Sequence, residues 1–222
     1  MRLHNFTRPL VGAVLATIGL GLGLGLGLGA SSAASLSSED KVVIDQVSAY
    51  LNTAQSMEGS FVQVGPDGTI TDGRFYMKRP GRMRFEYTRP TPILVVSDGT
   101  WLILKDTQVN TVDRYPLSST PLKILLAKTV ELWDSNSVRR VEREDGIIRI
   151  TALDPDSPED GEIVLIFTSQ PMELRQWIVT DAQGQDTTVA IKDLQLNLPV
   201  SNGLFHISDE NTDGSPSWSP GN

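Results

Sequence analysis

Five basic side chains, Lys78, Arg79, Arg82, Arg84 and Arg89, crowd one short stretch of a chain whose 27 acidic residues outnumber its 19 basic ones. Such a cluster is suited to anions, and an acidic surface is a better fit than nucleic acid, because the chain as a whole is negative. Other chemistry is scarce. There is no Cys, which excludes disulfides, thiolate metal sites, a Cys nucleophile and a lipidated N-terminal Cys. The two histidines are His4 and His206, too few for a His-rich metal centre or a Ser-His triad. No G-x-S-x-G elbow, phosphate-binding loop, dinucleotide fingerprint or H-E-x-x-H stands in the sequence. Residues 154–161, Asp-Pro-Asp-Ser-Pro-Glu-Asp-Gly, superficially imitate a calcium loop, but Pro158 and Glu159 stand where a ligand and the sharp-turn Gly belong. An acidic surface loop is expected there. Glu142 and Glu144 alternate with Val141 and Arg143, as on the wet face of a strand rather than as a catalytic carboxylate pair. These absences argue against an enzyme, and no metal or cofactor is implied.

The elements around the basic cluster follow from periodicity. Residues 1–34 combine Arg2 and Arg8, the uncharged apolar run from Leu10 to Gly29, and Ser32-Ala33-Ala34, which together form a secretory signal peptide for export to the periplasm. Its removal leaves 17 basic and 27 acidic residues, a net charge of −10. Ser37 and Asp40 have capping-box spacing, and Val43, Ile44, Val47, Tyr50, Leu51 and Ala54 recur with helical period, which predicts a helix over 38–55. From Glu58 onward, short alternating segments are divided by Pro-Asp-Gly, Pro-Gly and Asp-Gly turns. Strands are predicted at 58–65, 69–79, 82–88, 92–97, 100–106, 108–115, 137–144, 146–153, 162–169, 172–180 and 186–197. The fold class is mainly β within α+β. Eleven strands in one domain, 35–208, imply a large curved sheet or barrel. A short helix with Pro near its first turn is predicted at 119–127, and a loose tail at 209–222.

Alternation places Phe75 and Met77 on one face of their strand, and Met83 and Phe85 on one face of the next, with Arg82, Arg84 and Glu86 opposite. One further step puts Arg79 on the Phe75–Met77 face, where its guanidinium would need buried carbonyls or carboxylates. The pattern leaves open whether Pro80 instead ends the strand and turns Arg79 to solvent. Trp101, Trp133, Trp177 and Trp218 are spread out without a stacking motif; the first three are assigned to the core or its mouth.

Gly-Arg-Phe-Tyr-Met-Lys-Arg-Pro-Gly-Arg-Met-Arg-Phe-Glu-Tyr at 73–87 and Pro-Ile-Leu-Val-Val-Ser-Asp-Gly at 92–99 resemble the LolA family of periplasmic lipoprotein carriers. Ser-Phe-Val-Gln at 60–63 and Thr-Pro-Leu-Lys-Ile-Leu-Leu at 120–126 extend the resemblance in the family's order, over about 38–207. It implies an incomplete antiparallel barrel of about eleven strands, with a helical lid over an apolar cavity. Phe61, Phe75, Met77, Met83, Phe85, Val96, Trp101 and Ile103 are the candidates to line that cavity. Leu51, Leu122, Leu125 and Leu126 would belong to the lid, and Arg79 matches the arginine that locks it, which favours the inward alternative. The implied partners are acylated lipoproteins, an inner-membrane lipoprotein-releasing ABC transporter and an outer-membrane receptor, and a monomer is expected. A periplasmic lipid-binding or lipid-sensing protein on the same half-barrel is the alternative. The charge of −10 departs from the positive docking surface of familiar members.

Overall fold

The chain enters its first helix through a complete capping box. The Ser37 hydroxyl accepts the Asp40 amide, and the Asp40 carboxylate accepts the Ser37 amide at 2.9 Å, which satisfies donors that a helix start leaves free. The computed structural model describes residues 36–207. The expected leader at 1–34 and tail at 209–222 lie outside them. Helix α1 spans Ser38–Thr53 and buries Val43, Ile44, Val47 and Leu51, the stripe that the periodicity predicted.

Eleven strands follow: β1 Ser56–Val64, β2 Ile70–Lys78, β3 Arg82–Tyr87, β4 Ile93–Asp98, β5 Trp101–Asp106, β6 Thr111–Pro116, β7 Val138–Glu144, β8 Ile147–Leu153, β9 Glu162–Ser169, β10 Met172–Thr180 and β11 Asp186–Leu196. They form one antiparallel sheet in the order β6-β5-β4-β3-β2-β1-β11-β10-β9-β8-β7. The chain thus starts in the middle of the sheet, meanders to one edge, crosses to the other edge and winds back until β11 pairs with β1. Strands β6 and β7 are the two edges and do not pair with each other, so the barrel is incomplete.

The crossing from β6 to β7 is the one long connection of this topology. It cannot run through the sheet, so it travels over one face, beside α1. The helix predicted at 119–127 is shorter than expected: a 3₁₀ turn at Leu117–Ser119 precedes a single α-turn, α2, at Leu122–Leu125. Pro121 sits between them without an amide hydrogen to continue the first turn into the second. Past α2, the side chain of Asn52 pairs with the backbone of Val130 in both directions, at 3.0 and 2.7 Å, and ties the crossing to α1.

Candidate functional site

The face under α1 and the crossing is built from alternate residues of each strand. Met57 opposes Met77, Phe75 opposes Phe85, and Met77 opposes Met83. Two glycines make room for the rings. Gly59 lies opposite Phe75 and Gly73 opposite Phe61; a Cβ on Gly59 would lie 3.1 Å from Phe75 Cε1 and one on Gly73 2.9 Å from Phe61 Cε1, and each would also press on a neighbouring strand's carbonyl, Lys192 O at 2.6 Å and Glu86 O closer still. The rings pack edge to face or offset, with centroids 4.7 Å apart for Phe61–Phe85, 5.1 Å for Phe61–Tyr87 and 5.7 Å for Phe75–Phe85. Trp177 of β10 closes the group, 6.0 Å from Phe85. Leu51, Leu125 and Leu126 are buried in the same cluster and Leu122 packs against it. Burial pushes the Tyr87 phenol up to about 12 while its hydroxyl donates to Gln63 at 2.8 Å.

Arg79 turns inward at the end of β2 and is only 7% exposed. Its guanidinium donates to Leu51 O and, at 2.7 Å, to Leu125 O. Both carbonyls belong to the last turn of a helix, where they lack an intrahelical partner and carry the negative end of the peptide dipoles. One side chain therefore caps two helix ends and fastens both to the sheet. Burial lowers its pKa to about 10, so the cation persists at neutral pH. The turn after Arg79 is held as well: Arg79 N donates to Gln55 O at 2.9 Å and Gly81 N to Leu126 O at 2.8 Å. The Lys-Arg-Pro-Gly and Val-Ser-Asp-Gly blocks meet here. Ser97 donates to Gly81 O at 2.7 Å, and a Cβ on Gly81 would lie 2.6 Å from the Gly99 Cα, an approach that glycine at both positions permits.

A second fastening holds α2 from the far side. Lys123 pairs with Asp154 at 2.5 Å and with Asp160 at 3.5 Å, so the acidic loop at 154–161 anchors the lid. The Lys123 hydrogen bond holds the Asp154 carboxyl below its usual range.

Several expectations need correcting. Val96, Trp101 and Ile103 do not share the face of Phe85. Directly opposed residues of antiparallel strands point the same way, and Phe85 opposes Val95, which opposes Leu104, while Ser97 opposes Leu102. Val95 and Leu102 therefore pack on the interior cluster, whereas Val96 joins Val200 and Phe205 on the outer face and Trp101 is 42% exposed. Runs as uniformly apolar as Ile93–Val96 and Trp101–Leu104 carry no alternation from which to read parity. The basic cluster is not a free patch either. Lys78 donates to Val200 O at 2.9 Å and to Asn202 Oδ1 at 2.8 Å, Arg82 to the same oxygen at 2.7 Å, and Arg84 to Leu204 O at 3.1 Å. Trp177 lies in the core, as expected, whereas sequence reasoning missed Tyr87, Asn52 and Lys123 as parts of the site. In the interior, buried side chains of the strands, α1 and the crossing form one apolar cluster. A surface concavity of about 690 Å³ lies between the 64–68 and 184–188 turns, and another of about 480 Å³ lies beside Gln46, Tyr50 and Met172. Neither includes Arg79 or Phe85.

An open antiparallel sheet with an aromatic interior, closed by helices that polar contacts fasten, is a lidded half-barrel. The chain belongs to the LolA family: the family model described as outer membrane lipoprotein carrier protein LolA matches residues 52–208. Its relatives include an outer-membrane lipoprotein carrier protein of Leptothrix cholodnii, 30% identical over 72% of this chain and 80% of that protein. Another from Methylococcus capsulatus is 27% identical over 73% of this chain and 82% of that one. Among solved structures, a LolA superfamily protein from Nitrosomonas europaea overlaps 75% of this chain and 97% of its own length, with 12% identity and a TM-score of 0.40.

Proposed function

We propose that this protein is a periplasmic chaperone that takes up the acyl chains of lipoproteins leaving the inner membrane and carries them to the outer membrane. The observation that carries this reading is Arg79, whose guanidinium joins α1 and α2 to the rim of an aromatic interior through two carbonyls. Such a fastening is reversible only together with the lid: when the helix ends lift away, water enters and pairs with the guanidinium and the carbonyls in place of each other. The interior is a solvent for alkyl chains. Each buried CH₂ contributes about 0.8 kcal/mol, so exposing one chain of roughly sixteen carbons to water costs on the order of 10 kcal/mol.

The carrier then works by a shift between two states. Closed, the lid leucines lie on Phe61, Phe75, Met77, Met83 and Phe85, and Arg79 holds the helix ends. Open, acyl chains replace the lid on those side chains. Closure competes with cargo, which lowers affinity and permits handover. No bond is made or broken by the protein. An inner-membrane ABC transporter would supply the energy of extraction, and an outer-membrane receptor would accept the cargo.

The test is release of radiolabelled lipoproteins from spheroplasts by the purified mature protein, with native mass spectrometry of the product. A one-to-one complex that later donates its cargo to outer membranes is expected. No release, with fatty acid or phospholipid bound instead, would favour a lipid-sensing protein on the same fold.

A further inference from the structure

We infer that Asn202, on the outer face of the sheet, positions Arg79 on the inner face, so that the C-terminal segment Val200–Phe205 is a further support of lid closure, besides the Lys123 pair. The inference rests on the reading of Arg79 as the lid lock. Lys78 and Arg82 are register partners at the end of the β2–β3 hairpin, one on each side of the turn that carries Arg79 and Gly81. Two cations directly opposed across a hairpin repel each other and would splay its end. The Asn202 carboxamide oxygen lies between them and accepts from Lys78 Nζ at 2.8 Å and from Arg82 at 2.7 Å. Both partners are donors only, so chemistry requires the oxygen, not the amide nitrogen, at that position.

Asn202 is placed by its neighbours. Ser201 caps the 3₁₀ turn Asn202–Phe205 and accepts the Gly203 amide at 3.3 Å. Val200 and Phe205, on either side, are buried with Val96 in a small apolar cluster that seats the segment on the sheet. Lys78 also donates to Val200 O and Arg84 to Leu204 O. The hairpin end is thus held from two sides. Arg79 and Gly81 bond inward to α1 and α2, and Lys78 and Arg82 bond outward to the C-terminal segment. Releasing the outer contacts frees the base from which Arg79 reaches, and closure weakens without any change to Arg79 itself.

Hydrogen exchange on the mature chain tests this directly. In Asn202→Leu the amides of Arg79 and Gly81 are expected to exchange faster, by only about threefold because water can replace an acceptor at this exposed position. Ile150, in β8 far from the hairpin, keeps its rate. Asn202→Asp retains an acceptor for both cations and keeps the parent rates. Unchanged exchange at Arg79 and Gly81, or an equal rise at Ile150, would overturn the inference. A titration with fluorescent palmitate adds the coupling. Asn202→Leu should tighten the apparent affinity in the parent but not in the Arg79→Leu background, because the two act through one contact. Equal shifts in both backgrounds would also overturn it. If no variant binds the probe, the carrier reading fails, while the exchange rates still decide whether Asn202 positions Arg79.

Discussion

The two faces of the β2–β3 hairpin use the same kind of side chain to opposite ends. On the inner face, Arg79 is buried among apolar residues and reaches two helix-end carbonyls; on the outer face, Lys78, Arg82 and Arg84 stay near water and hold the C-terminal segment. What differs is desolvation. A guanidinium out of water must find acceptors, and those of Arg79 are the carbonyls that two helices leave unpaired at their ends. The outer cations could exchange their contacts for water at little cost. On the proposed mechanism, a loss of contact on the inner face changes the state of the lid, and a loss on the outer face changes the support behind it.

Truncation of apolar residues should break the symmetry most strongly. Phe85→Ala is expected to lower stability by about 3–5 kcal/mol, whereas Trp101→Ala, on the outer face, costs about 1 kcal/mol or less; urea denaturation measures both. Equal losses would mean that the outer face is also core. Arg79→Leu should come next. Removing two hydrogen bonds from a charged donor raises the open-to-closed ratio by about tenfold or more, so cargo is bound more tightly and passed more slowly to acceptor membranes. Transfer at the parent rate would remove Arg79 from the mechanism.

Smaller effects sharpen the comparison. Asp40→Ala removes half of the capping box and should cost about 1 kcal/mol of stability, read as a lower Tm. Lys123→Met should weaken the second fastening by about 1 kcal/mol, near the upper end for surface ion pairs, because this pair is largely covered. The pH dependence has a definite sign. Because the folded-state pKa of Asp154 is depressed below 3.8, its stabilising contribution is complete above that value and is lost as pH falls through the folded pKa. Lid opening, followed by exchange of the Leu126-bonded Gly81 amide, should therefore increase below about pH 4. Asp154→Asn should flatten that rise.

Much of this was legible in the residues. Capping spacing and period marked α1, and the Gly-containing turns divided the strands almost where they fall, because these signals are local and each element carries its own. The interior positions of β2 and β3 could be read because Phe75, Met77, Met83 and Phe85 alternate with polar residues. In β4 and β5 that contrast is missing, and the faces of Val96, Trp101 and Ile103 were set by the pairing of β4 with β3 and of β5 with β4. The sequence by itself determined the strand list, the first helix and the scarcity of groups for bond chemistry. Only the tertiary structure decided which cations are used up by the protein's own C-terminal segment, that Lys123 meets Asp154, and that Arg79 faces inward. Those choices depend on carbonyls and carboxylates supplied from distant parts of the chain, and no local pattern records where they arrive.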